Sequence, residues 1–325
     1  MLNILVTLFT VLLLSCNKSN PIAGPSDSAI VTPVKKPPAL TGRLVFHSYS
    51  CYSCNDSKLF ILDFSTGKLT QINSGWNIGN CMNAHFSPDG KKIVFMGTDN
   101  VTLNWNVYLW NENSASQPVN LTSASGASSR NEDPKFSNSG TRIVFKHNGH
   151  LSEMDLNGNI TRTITSGSGE ESMPYYNYND SEILYAEGAG AASGIFMIDA
   201  NGVIVKTRAS LPNIDQYYPI AKDSVSFLYT AWVSATNNND QIFRGFYNVN
   251  KASAYLPFDD SAANYSDPFP CNAQYVFLSS TRSDSKGGYD LYIADINTGD
   301  IWSLSDYNVN VNTVNNELGS CYTPI

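Results

Sequence analysis

His85 to Thr122 reads HFSPDGKKIVFMGTDNVTLNWNVYLWNENSASQPVNLT. It opens on the turn Ser87-Pro88-Asp89-Gly90 and runs into a short apolar strand, Lys92-Ile93-Val94-Phe95. A polar loop follows, then a second strand, Asn106-Val107-Tyr108-Leu109-Trp110, another polar turn, and a last strand ending in Asn120-Leu121-Thr122. The same order of elements recurs along the chain, and such a period dictates architecture before any other feature does.

Six apolar strands mark the period: Arg43-Leu44-Val45-Phe46, Lys92-Ile93-Val94-Phe95, Arg142-Ile143-Val144-Phe145, Glu182-Ile183-Leu184-Tyr185, Ser226-Phe227-Leu228-Tyr229 and Gln274-Tyr275-Val276-Phe277. Each is followed by a partner strand, and most of these end in a tight turn such as Asn157-Gly158 or Asn201-Gly202, which supplies the positive φ a hairpin needs. Six four-stranded units of this length predict an all-β, six-bladed β-propeller over residues 41–325. The marked strand is the second of its blade, B, and is apolar on both faces because blades stack face to face. Upstream lies the innermost strand A, expected at Asn83–Phe86, Asp133–Phe136, Met173–Tyr176, Tyr217–Ile220 and Asp267–Pro270. Blade 1 lacks one. The C-terminal run Asn316–Ile325 reads like Asn131–Phe136 and is expected to pair with Leu44–Phe46, closing the ring and removing its open edges.

The formal net charge of −8 argues against a nucleic-acid partner, which needs a basic footprint. Leu2 to Leu14 is apolar but too short to span a bilayer as a stable helix. It leads into Leu13-Leu14-Ser15-Cys16, which resembles the bacterial lipobox; the resemblance implies a signal peptide over residues 1–15 and acylation of Cys16. Residues 16–40 are proline-rich with few large apolar groups and read as a tether.

HFSPDGKKIVF (85–95) and FLSSTRSDSKGGYDLYIADINTGD (277–300) resemble repeats of the TolB-type, WD-like propeller family of cell-envelope proteins. Blades 1, 2, 3 and 6 match the pattern. Blades 4 and 5 replace the Ser-Pro-Asp-Gly turn and keep Asn179-Asp180 and Lys222-Asp223. The resemblance implies a propeller, an envelope location and no reaction, since fold does not dictate function; Asn17, standing after Cys16 in place of an inner-membrane retention Asp, favours the outer membrane.

Of the cysteines, Cys51, Cys54, Cys81, Cys271 and Cys321 remain after Cys16, an odd number that leaves at least one free thiol. Cys51-Tyr-Ser-Cys54 reads as a disulfide or an unreacted loop pair; it lacks the helix context of a redox motif and the second pair of a zinc site. His47, His85, His147 and His150 do not converge in the pattern, so they read as structural, and no metal site is assigned. Arg282 and Asp290 read as an ion pair within blade 6.

Acidic residues recur at or before the start of strand A: Glu132 and Asp133, Glu170 and Glu171, Asp215, Asp267 and Glu317. These starts ring one mouth of the central channel. Either the carboxylates form a collar that takes a cation or cationic ligand, or each is satisfied within its own blade. The B–C and D–A connections open on the same face and carry Tyr49, Trp76, Trp105 and Trp232. Trp and Tyr among Asn, Ser and Gly resemble a binding surface. The expectation is a monomeric, non-enzymatic envelope binding module that engages a protein or glycan through this face, touches membrane only through its lipid, and calls for no cofactor. The alternative is a carbohydrate-active lyase or hydrolase working at the same face. Any catalytic residues are left unassigned.

Overall fold

Six four-stranded antiparallel sheets follow one another around a channel, each running from an innermost strand A to an outermost strand D. The computed structural model describes residues 35–101, 103–114, 116–123, 129–188, 193–199, 201–202, 205–256 and 260–325. Cys16, the apolar segment before it and the tether up to residue 34 lie outside the described residues.

The B strands explain the packing. In blade 1, Leu44 and Phe46 enter the core shared with blade 6, while Val45 enters the core shared with blade 2. In blade 2, Ile93 and Phe95 face blade 1 and Val94 faces blade 3. A strand covered on both faces must be apolar at consecutive positions, and that is why LVF, IVF and ILY recur. Six such cores result, one per seam between blades. Burial of each Leu, Ile or Phe contributes about 2 kcal/mol, so the seams carry most of the stability.

The ring closes as the sequence predicts. Asn316–Thr323 is strand A of blade 1 and pairs antiparallel with Arg43–Tyr49, placing Tyr322 opposite Leu44 and Cys321 opposite Val45. Tyr322 also packs against Phe277 of blade 6 (5.3 Å between centroids) and donates to the Thr41 carbonyl. Just before the first strand, Tyr307 donates to the Pro38 carbonyl at 2.7 Å and Leu40 packs on the blade 6–blade 1 core.

Two local readings need correction. Residues 231–240 are not a long loop: strands Ser226–Ser234 and Asn237–Phe246 continue to a tight hairpin with Ser234 opposite Asn237, and Trp232 lies on a strand opposite Asp240. Their alternation of Thr, Ala, Val and Asn extends the ladder past the point where an apolar run stops. Arg282 pairs with Asp284 at 3.0 Å rather than with Asp290, whose carboxyl accepts from the Lys286 backbone. The nearer carboxylate, two residues away, needs less ordering of the chain.

Candidate functional site

All six inner strands carry the same irregularity. In each, two residues oppose a single residue of strand B: Asn83-Ala84 opposite Phe95, Asp133-Pro134 opposite Phe145, Met173-Pro174 opposite Tyr185, Tyr218-Pro219 opposite Tyr229, Asp267-Pro268 opposite Leu278, and Gly319-Ser320 opposite Phe46. The first residue of each pair has positive φ, from +50° to +63°. Such bulges bend the strand and re-aim side chains. Four of the second residues are prolines, which have no N–H to lose from the ladder.

The bulge makes the channel rich in functional groups. The residue before it and the bulge residue itself both face the channel, so Glu132 with Asp133, Tyr217 with Tyr218, and Ser266 with Asp267 line one chamber. Its volume is about 400 Å³. Tyr49, Tyr52 and Tyr289 complete an aromatic wall. Below it the channel narrows to about 40 Å³ between His85, Lys135, Tyr175, Phe269 and Cys321.

Charge is distributed unevenly. On one side of the mouth, Lys146 Nζ sits 3.0 Å from Glu132 and 2.5 Å from Glu170, and Arg130 bridges the same two carboxylates at 3.0 and 3.2 Å. The hydrogen bond from Lys146 holds the Glu170 carboxyl below its usual range. Asp133, beside Glu132 on the same strand, and Asp240 and Asp267, on blades 5 and 6, form no ion pair among the described residues. Asp240 is 6% exposed and accepts from Tyr289 at 3.0 Å and from Tyr217. Asp133 accepts from Asn83 Nδ2 at 2.6 Å; Asp267 accepts from the Gly319 N–H at 3.2 Å and from Ser266. Burial raises all three carboxyls, Asp267 to about 6. His47 and His85 are neutral acceptors. The Asn83 and Phe136 N–H groups donate to their Nδ1 atoms, and burial lowers both, His47 to about 3.

The sequence-derived site residues divide accordingly. Tyr49, Glu132 and Asp267 border the chamber. Glu171, Asp215 and Glu317 are turned away from it. Glu171 bonds His150 at 2.7 Å, Asp215 accepts from Ser193, and Glu317, fully buried, accepts from Ser48 at 2.8 Å and Thr313 at 2.7 Å. Trp76 stacks on Phe95 (5.3 Å) and tilts against Trp110, in the seam between blades 1 and 2. Trp105 and Trp232 are half-buried on strands and do not line the chamber. Asp133 and Glu170, read from sequence as part of the acidic collar, also line the chamber, whereas Asp240, Tyr217, Tyr218, Tyr289, Arg130 and Lys146 belong to the site but were not singled out from sequence. The X-Pro step at one place in four inner strands was the legible signal.

Cys51 and Cys54 form a disulfide on the loop beside the mouth; Cys81, Cys271 and Cys321 are free thiols. Among the described residues, no three His, Cys, Asp or Glu side chains are grouped as a metal ion would need.

No known family model matches the chain, and no curated protein matches it. Solved structures do. TolB from Acinetobacter baumannii superposes with a TM-score of 0.65 at 15% identity, over 88% of this chain and 68% of that one. The chain has the fold of a TolB-like six-bladed propeller. A putative TolB from Agrobacterium tumefaciens gives 0.59 at 13% identity over 88% and 100%. Kuenenia stuttgartiensis hydrazine synthase gives 0.66 at 11%, over 87% of this chain and 46% of that one. A TolB-like propeller thus also serves inside an enzyme, and the fold alone assigns no activity.

Proposed function

We propose that this TolB-like propeller is a binding module of the cell envelope that receives a protein partner on the face where the tyrosine-lined chamber opens. One observation carries the reading: the connections on the face where the polar chamber opens hold exposed apolar side chains. Tyr52 (67% exposed), Val101 (90%), Leu103 (64%), Val309 (71%) and Val314 (83%) all lie on B–C or D–A connections of blades 1, 2 and 6. They are on the whole more exposed than the large apolar side chains of the opposite face, such as Tyr178 (47%), Val225 (53%) and Val249 (49%), and apolar area left in water to this extent favours a protein surface over a sugar. The three carboxylates without ion pairs add a preference for a cationic element entering the chamber. The envelope location rests on the lipobox-like Leu13-Leu14-Ser15-Cys16.

The test is affinity capture of the tagged, full-length chain from native envelopes. Replacing Tyr52 and Val101 together by Ser is expected to cut recovery of the partner roughly tenfold or more, as for loss of an interface anchor. Asp89→Asn and Asn201→Ser, on the opposite face, are expected to leave it unchanged. Equal losses from both faces, or loss from the second pair alone, would refute the reading.

A further inference from the structure

Lys135 stands at the waist of the channel, where the chamber narrows. Its side chain is open only to the channel, and its Nζ makes no hydrogen bond or ion pair with any described residue. The groups that face it come from every side of the ring. Asp133 and Asp267 are close enough to act on its charge; His47, His85 and Cys321 feel that charge in turn; and Tyr175 and Tyr218 complete the lining. By contrast, Lys146, the other channel lysine, is held in ion pairs with Glu132 and Glu170.

We propose that Lys135 is a carbonyl-capturing amine that forms an imine with a small neutral aldehyde entering through the chamber. An amine without a hydrogen-bond partner keeps its lone pair available whenever it is unprotonated. Burial lowers the basicity of Lys135 against the opposing pull of Asp133, which raises the share of free amine at neutral pH. The nitrogen lone pair adds to the carbonyl carbon, and the π pair moves to oxygen. That oxygen takes a proton from a neighbouring carboxyl, while the nitrogen returns one to the same group. The same carboxyl then protonates the hydroxyl, water leaves as the nitrogen lone pair forms the C=N bond, and the iminium returns its proton to the carboxylate, leaving the imine. No oxidant or reductant enters. Asp267, held near 6 by burial, can both give and take these protons close to neutrality.

Dimensions and charge set the substrate class. The waist, about 40 Å³, admits a carbonyl head and little else, while a hydroxyl-bearing tail would stay in the chamber of about 400 Å³ among Tyr217, Tyr218 and Tyr289. A 2-oxo acid would bring its carboxylate against Asp133 and Asp267. This inference concerns chemistry at the waist and does not depend on the partner-binding reading of the rim.

The experiment treats the folded full-length chain at pH 7 with glycolaldehyde and cyanoborohydride, which reduces an imine to a stable secondary amine. Peptide masses then give the rate at each lysine. Lys135 is expected to label about tenfold faster than the median lysine, because its lowered basicity leaves more free amine at pH 7. Labelling at or below the median would overturn the proposal. Glyoxylate, an aldehyde carrying a carboxylate, is expected to label Lys135 more slowly than glycolaldehyde; equal or faster labelling would overturn the restriction to a neutral aldehyde. Because each lysine is compared within one folded sample, no variant is needed.

Discussion

Asp267 shows how burial turns one side chain into a measurable pH dependence. Its carboxyl is lifted from 3.8 to about 6, chiefly by burial, with the Gly319 N–H opposing. The fold therefore favours the protonated form. The stabilisation this brings is full below about pH 4 and is lost as pH rises through 6. Asp267→Asn, neutral throughout, is expected to be about 2 kcal/mol more stable than the parent at pH 8 and equal to it at pH 4, read from urea midpoints. His47 and His85 act in the opposite direction, since their lowered values remove stability as pH falls below 6.5, but they are common to both proteins and cancel in the difference. A gap that failed to close at pH 4 would place the effect elsewhere. Gly319 offers a second test. Its φ is +63°, and a Cβ there would lie 2.5 Å from the buried His47 ring. Gly319→Ala is expected to cost roughly 1–3 kcal/mol, combining backbone strain with overpacking; a loss under 0.5 kcal/mol in urea titration would show that the ring can shift.

The inner strand is the element on which both fold and site depend. Its closing copy, Asn316–Thr323, supplies Cys321 to one seam and Tyr322 to the other. A chain ending at residue 315 is expected to lose the cooperative transition of the ring or to melt roughly 10 °C lower, by calorimetry; an unchanged melting temperature would mean the ring does not need that strand. The propeller was legible because apolar B strands repeat at a fixed interval, and a strand buried on both faces cannot hide its composition. The closing strand was legible because Asn316-Glu317 reads like Asn131-Glu132, although the bulges set Glu317 level with Asn131. The site was only half legible. Reading carboxylates at the starts of strand A found Glu132, Asp133, Glu170 and Asp267, but it placed Glu171, Asp215 and Glu317 in the same ring. A bulge advances the register by one residue, so side chains one position apart on different strands face opposite ways. Glu171 and Glu317 stand two residues before the bulge and point between blades, whereas Glu132 stands one before it and points into the channel. Asp240 was missed for another reason: it reaches the chamber from strand C of blade 5, whose extended hairpin has no apolar run to announce it.

At the scale of the molecule, the two faces differ in kind. One carries the chamber, the disulfide loop Cys51–Cys54 and the apolar rim; the other carries short turns such as Ser87–Gly90, where Ser87 Oγ and the Lys91 N–H both bond Asp89. Tyr289→Phe is expected to weaken partner binding by about 1 kcal/mol, because it removes one of two hydroxyls that position Asp240, with the melting temperature unchanged within error; isothermal titration with the captured partner would read it. The most direct measurement uses two tyrosines of similar exposure on opposite faces, Tyr52 on the B–C loop of blade 1 and Tyr178 (47% exposed) on the A–B turn of blade 4. Each is replaced in turn by a photoreactive phenylalanine, and the full-length protein is irradiated in its native envelope. A covalent adduct to a second protein at position 52, with none at 178, is the expected result. An adduct at 178 and none at 52 would contradict partner binding at the channel mouth.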